Sequence, residues 1–419
     1  MSMKQQILSV LVSLLLSNVV ASFEIQPKSW TFRGHPIAYE EATLHPSSTS
    51  PLTTTTEEEE DEPILLLNGF GVGSFHQHRL MNSLNLDENK NTKRRMYGID
   101  YLGQGKSWPI DCQDGFGKNE CGLIYSVDTW ANQIINFIEE VILTTTTSPK
   151  KVHLVGNSVG GHLSVIIASR RPDLISTLTL LNATPVWGLN LPFWSGHLPP
   201  PRIPHTIGSY LFDRIRDENT IQQYLAAAYE NKDAFDDVLV KQIRGCTESS
   251  GGGHAAFTSI LWSTPASVVD EDGTLTNKPA DFYTLLASVQ CNVLLLFGSR
   301  DPWCTPSFAK RMYQTLASSS RRNKQQQQQQ RYIELQNIGH CPNHEAPVAV
   351  SRTLHRWISS SSSSGDGTTT DVVKLVDNEE DCDVIQEVSW GGQSILKEVK
   401  EQDIGDASLL DKIMTSMVS

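Results

Sequence analysis

Six short apolar runs punctuate the chain: ILLL (64–67), MYGID (96–100), VHLVG (152–156), TLTLL (177–181), NVLLLF (292–297) and YIEL (332–335). ILLL and NVLLLF are apolar through successive positions rather than alternating, as expected of strands covered on both faces. Stretches of helical period separate most of the six runs. SVDTWANQIINFIEEVIL (126–143) opens on Ser and Asp and sets Ile134, Ile135, Phe137, Ile138 and Val141 on one stripe, which predicts a helix. VGGHLSVIIASRR (159–171) and APVAVSRTLHRWI (346–358) read as helices as well. The alternation predicts an α/β fold, a mostly parallel sheet flanked by helices.

The pattern breaks between about 187 and 285. That stretch lacks sheet-like runs and holds three helix-like pieces, SYLFDRIRD, TIQQYLAAAYE and AFDDVLVKQIRG, so a helical cap inserted between two strands is predicted. Within it, PFWSGHLPPPRIP (192–204) is too proline-rich to read as helix and is taken as a rim. Elsewhere, SSTSPLTTTTEEEEDE (47–62), TTTT (144–147) and NKQQQQQQR (323–331) sit between elements and read as loops. From SSSSSSGDG onward, residues 359–419 form an acidic tail without apolar periodicity until a short stretch near Leu409, and read as disordered.

Charge sharpens that division. EEEEDE (57–62) carries six negative charges, and residues 366–419 carry thirteen acids against four lysines. The net charge of the 419-residue chain is −13, so everything else is close to neutral, at about +2. No basic stripe is present, which argues against a nucleic-acid partner.

Residues 1–22 read as a leader. Lys4 precedes the apolar run 7–20, and small residues lead to Phe23, a charged region, a hydrophobic region and a cleavage-like end. The run is short for a membrane span, so the mature chain is expected to be soluble or at most peripheral to a membrane. Of seven cysteines, only Cys112 and Cys121 lie close enough in one loop to propose as a pair, with free thiols the alternative. No spacing fits a zinc or redox motif, and no metal or cofactor is expected.

The chemistry centres on VHLVGNSVGG (152–161). A glycine-flanked serine between a buried strand and a helix matches the context that G-x-S-x-G requires. Gly156 and Gly160 then relieve strand–helix clashes, and Ser158 is raised as a nucleophile. The Val159 amide, at the helix N-terminus, is a candidate oxyanion donor. A serine needs a base, and the base an orienting acid. FGSRDPW places Asp301 just past one strand, and NIGHCPNHEAP places His340 in the loop after the last one. His344 is the nearest competing histidine and reads as a capping or surface residue. Asp100 precedes the nucleophile and reads as a turn holder. The loop after ILLL supplies the Phe70 amide as the second candidate oxyanion donor. Trp187, Phe193, Trp194, Phe257, Trp262 and Trp303 make the cap and nearby loops aromatic, fit either for core packing or for a bulky apolar substrate.

At these residues the sequence resembles the α/β-hydrolase superfamily, and within it the pheophytinase-like, chlorophyll-dephytylating branch. The resemblance spans about 28–358 and rests on NGFGVGSFHQH, IDYLGQGKSW, VGNSVGGH, LLNATPVWG, HAAFTSILWSTP, GSRDPW and GHCPNHEAP. It implies an α/β-hydrolase fold with a helical cap and Ser158, Asp301 and His340 as a triad. It also implies hydrolysis of the phytyl ester of a chlorin pigment, a hydrophobic small-molecule substrate. Asn68 departs from the His that many α/β-hydrolases carry there. A general lipase, esterase or acyltransferase, and a non-catalytic ligand-binding receptor on the same fold, are the rival readings. Ser158 argues against the aspartate-nucleophile members. The leader also resembles bipartite leaders of complex plastids, which implies a plastid (chloroplast) location, the secreted or endomembrane route being the alternative.

Overall fold

The computed structural model describes residues 23–44, 60–86, 93–108, 125–144, 151–187, 202–248, 260–261, 263–270, 272–322, 328–362, 396–400 and 404. The expected leader, the Cys112–Cys121 loop and most of the tail lie outside the described residues.

The main sheet has nine strands. In chain order they are β1 (Gln26–Phe32), β2 (His35–Leu44), β3 (Glu60–Leu67), β4 (Lys93–Ile99), β5 (Val152–Asn157), β6 (Ile175–Leu181), β9 (Asn292–Gly298), β10 (Gln330–Leu335) and β11 (Leu396–Glu398). Their spatial order is β1-β2-β4-β3-β5-β6-β9-β10-β11. The six strands from β4 to β10 run parallel, and the outer β1, β2 and β11 pair antiparallel. This is the expected mostly parallel sheet.

Helices cover both faces because the inner strands carry apolar side chains on both sides of the sheet. Val293, Leu295 and Phe297 of β9 enter one core, with Leu154 of β5 and Leu178 of β6. Leu294 and Leu296 enter the other, with Val155 and Leu181. Side chains alternate across a strand, so a continuous run serves two cores. The first core is closed by α2 (Val127–Phe137), α3 (Val159–Arg170), α7 (Phe282–Ser288) and α8 (Pro306–Arg322). The second is closed by α1 (His78–Leu86) and α10 (Pro347–Ser362). Ser126 caps α2 by accepting from the Thr129 amide, and the helix runs into a π-turn at Ile138–Ile142.

The cap holds α4 (Arg202–Ile215), α5 (Glu218–Ala228) and α6 (Asp237–Gly245). Asp217 and Asp236 cap the last two. Their apolar stripes form a separate small core with Ile221, Leu225, Tyr229, Leu239 and Ile243.

Four expectations need correction. The acidic run 57–62 is not wholly loop: its second half opens β3, where Arg94 of β4 donates to Asp61 at 2.7 Å and pairs its charge. The tail is not wholly without structure, since Leu396–Glu398 forms β11 against β10. The stretch 187–285 does contain strands, the small hairpin of β7 (Ser267–Val269) and β8 (Leu275–Pro279). Helix α4 begins at Arg202, inside the proline-rich piece, with Pro204 in the first turn, where no amide is needed for the helix ladder. The β1–β2 hairpin was not anticipated. Its turn sits at Arg33-Gly34, both with positive φ, as a two-residue hairpin requires.

Candidate active site

Ser158 stands between β5 and α3 with φ 54° and ψ −119°, a conformation unusual for a residue with a side chain. Close packing dictates the glycines around it. A Cβ on Gly156 would lie 2.4 Å from the Gly160 carbonyl oxygen, and one on Gly160 would lie 2.6 Å from that of Leu67. The strand and helix therefore touch backbone to backbone, and the turn between them is tight.

The structure brings together three residues that the sequence spreads over 182 positions. His340 Nε2 lies 2.9 Å from Ser158 Oγ, and His340 Nδ1 lies 2.7 Å from Asp301 Oδ2. Asp301 follows β9 and His340 follows β10, so parallel strands deliver all three to one sheet edge. Asp301 is buried, and burial pushes its pKa up. The hydrogen bond and charge of His340 and the amides of Cys304 and Trp303 outweigh this and hold it below the usual carboxylate range. Those amides donate to Oδ1 at 3.0 and 2.8 Å.

Sequence reasoning missed two asparagines here. Asn182, left-handed at φ 43°, donates to Asp301 Oδ2 at 2.6 Å and accepts from the Gly298 amide at 2.9 Å. Asn157 donates to the carbonyl of His340 at 3.0 Å. The signal available was an asparagine at the end of each strand, in LLNATP and VGNSVG.

The loop after β3 lies against Ser158. A Cβ on Gly69 would stand 3.4 Å from that of Ser158. The Tyr101 hydroxyl donates to the Asn68 carbonyl at 2.7 Å, and the Gly71 amide donates to Gln104 Oε1 at 2.9 Å, so the loop carrying Phe70 is pinned at both ends. Val159 occupies the first turn of α3. Asp100 holds the neighbouring turn as expected, accepting from the amides of Ser74 at 2.6 Å and Lys106 at 2.7 Å.

His344 differs from its expectation. It is buried within α9 (Pro342–Glu345), stacked on His76 at 4.9 Å, because the Pro342 turn folds it inward. Burial, with the neighbouring His76 and Arg79, pushes it down to about 2. Burial, with His340 and Arg79, takes His76 to about 3. Neither competes with His340 as a base at neutral pH.

A cavity of about 470 Å³ opens beside Ser158 and His340, between the sheet edge and the cap. Phe212, Ile215, Ile221, Leu225 and Ile243 form its cap wall, while Phe70, Trp108 and Trp303 form part of its body wall. Trp303 also meets the His340 ring edge-on at 4.9 Å. Trp187 is not part of the lining: it packs beneath Phe70 at 4.9 Å and against Trp130, a core role. Phe193, Trp194, Phe257 and Trp262 lie outside the described residues. Cys246, Cys291, Cys304 and Cys341 are free thiols. Asp301, Cys304 and His340 offer one ligand atom each within 4.8 Å, but the carboxylate and imidazole already bond each other.

An elbow serine, a strand-end aspartate and a loop histidine, in that chain order on this sheet, define a hydrolase. The chain belongs to the α/β hydrolase family, whose model matches residues 64–353. Over 337 residues it is 30% identical to the chloroplastic pheophytinase of Arabidopsis thaliana, covering 72% of this chain and 62% of that one. It thus spans less than two thirds of that relative's length. A proline iminopeptidase of Lactobacillus crispatus (strain ST1) is 26% identical over 304 residues, covering 71% of this chain and 89% of that one. Two solved esterases share the fold. That of Thermogutta terrifontis has a TM-score of 0.51 at 17% identity, covering 81% of this chain and 99% of that one. That of Exiguobacterium antarcticum has a TM-score of 0.51 at 16% identity, with the same shares covered.

Proposed function

We propose that this chain is a serine ester hydrolase that cleaves the phytyl ester of a chlorin pigment. The observation that carries the reading is the Ser158–His340–Asp301 chain of hydrogen bonds opening onto an apolar cavity. Ser158 Oγ attacks the ester carbonyl as His340 Nε2 takes its proton. Asp301 holds the Nδ1 proton and stabilises the imidazolium that forms. The amides of Phe70 and Val159 receive the oxyanion. The tetrahedral intermediate collapses, the carbonyl–oxygen bond to phytol breaks, and His340 returns the proton to the departing alkoxide. The pigment's propionyl group is then on Ser158, and water delivered by the same histidine releases it.

The likeness to a pheophytinase supports the pigment, and so does the lining, since both the isoprenoid chain and the tetrapyrrole face demand large apolar contact. Cleavage at a peptide amino terminus would need a counter-charge for the ammonium group. Among the described residues no carboxylate lines the cavity. We also read a membrane-dissolved substrate as bringing the protein to a membrane surface from outside, since no helix among the described residues is long and apolar enough to cross one. The leader would direct it to the plastid, which a fluorescent fusion of the leader tests.

Purified protein is assayed on pheophytin, chlorophyll and short-chain acyl esters, with products resolved by chromatography. Release of phytol and the matching pigment acid is expected. Turnover of short esters alone would replace this reading with that of a general esterase, and ligand binding without product would leave a receptor.

A further inference from the structure

We propose that Glu345 is a positioning residue whose carboxylate ties the loop carrying His340 to the segment leaving cap helix α5, so that the cavity wall and the histidine are set together. The proposal rests on the reading of Ser158 and His340 as the reacting pair.

Glu345 ends the short helix α9 and is 4% exposed. Its Oε1 accepts from the Asn231 amide at 2.8 Å, and its Oε2 accepts from the Gly339 amide at 2.9 Å. Beside these, the His340 amide donates to the Ala228 carbonyl at 2.7 Å. The two backbone segments touch directly: a Cβ on Gly339 would lie 2.2 Å from the Ala228 carbonyl oxygen and 2.8 Å from the Glu230 nitrogen. One side chain therefore bridges residues 228–231 and 339–340. Ile221, Leu225, Ala228 and Tyr229 of the first segment and its helix line the cavity. A shift of that segment moves both the wall and the histidine loop.

Stability alone does not account for a carboxylate at this place. Burial pushes Glu345 up to about 7; the amides of Asn231, Gly339 and Glu230 lower it, and the charge of Glu230 raises it. Its folded pKa lies above its unfolded one. Its contribution to stability is therefore complete below the ordinary carboxylate pKa and is lost as pH rises toward 7. The ionised form is held at a cost to the fold. The surrounding titratable groups are Glu230 and Tyr229 from the cap, His76 and Arg79 before and within α1, and Cys341 and His344 from its own loop. Burial keeps both histidines neutral, and it brings the change of charge on Glu345 close to neutrality.

Hydrogen exchange of the wild-type protein at pH 8 and pH 6, corrected for intrinsic rates, tests the tie without any variant. Opening returns the carboxyl to water and to its ordinary pKa, so protection of the Asn231 and Gly339 amides is expected to rise about tenfold at the lower pH; equal or lower protection there would overturn the proposal. The second test is Glu345→Gln. In the variant, KM for a bulky apolar ester is expected to rise about tenfold while that for 4-nitrophenyl acetate is unchanged. An unaltered KM for the bulky ester would also overturn it. A wild-type protein that hydrolyses no ester refutes the serine reading, and the exchange measurement still decides the tie.

Discussion

The sheet edge and the cap enclose the same cavity with different kinds of order. Under Ser158, Leu154, Leu180 and Leu295 are wholly buried, and the reactive side chains are fixed by strand ends, close backbone contacts and hydrogen bonds. Over it, the cap packs a small core of its own and leaves Ile207, Leu211, Tyr210 and Tyr224 exposed. Dense burial resists local opening, whereas a thin helical layer opens at lower free energy. On the proposed reading, the body sets how fast an ester is cleaved and the cap sets which ester enters.

Four substitutions or measurements press on this division. Ser158→Ala should lower turnover of every ester by roughly 10⁶-fold. Loss on the pigment with full activity on short esters would place a second nucleophile elsewhere and break the comparison. Asp301→Asn should cost about 10⁴-fold, again regardless of the ester, because the imidazole loses its orienting acceptor. Asn182→Gly keeps the left-handed backbone but removes the bond to Asp301. A loss of about tenfold, uniform across substrates, is expected from one hydrogen bond to a charged group. Leu225→Ala acts only on the cap wall. It should raise KM for a long-chain ester about threefold to tenfold and leave the acetate unaffected, which steady-state kinetics on the two substrates will show.

The body was largely legible in the sequence because its information is local. Continuous apolar runs such as NVLLLF announce a strand with two covered faces, and VGNSVGG joins a strand to a helix through a glycine-lined turn. The order of Ser158, Asp301 and His340 followed from strand ends. What sequence did not show is held by contacts between distant positions. Asn182 meets Asp301 across 119 positions and Asn231 meets Glu345 across 114. Nothing in LLNATP or HEAP names the partner. His344 was misplaced for the same reason: a polar residue beside a helix start reads as exposed until His76 is seen stacked on it. The β1 strand was missed because most of its side chains face solvent, which erases the apolar signal.

The three-residue β11 gives the acidic tail one definite task. It lies antiparallel on the outer side of β10, pairing Leu396 with Leu335 and Glu398 with Ile333, and Arg331 bonds Glu398 across the pair. Without it, β10 would end the sheet as a bare edge whose amides and carbonyls could recruit a strand from another molecule. A protein cut short before Leu396 would keep its reactive centre yet gain a route to edge-to-edge self-association, so the tail's strand acts as a guard against aggregation.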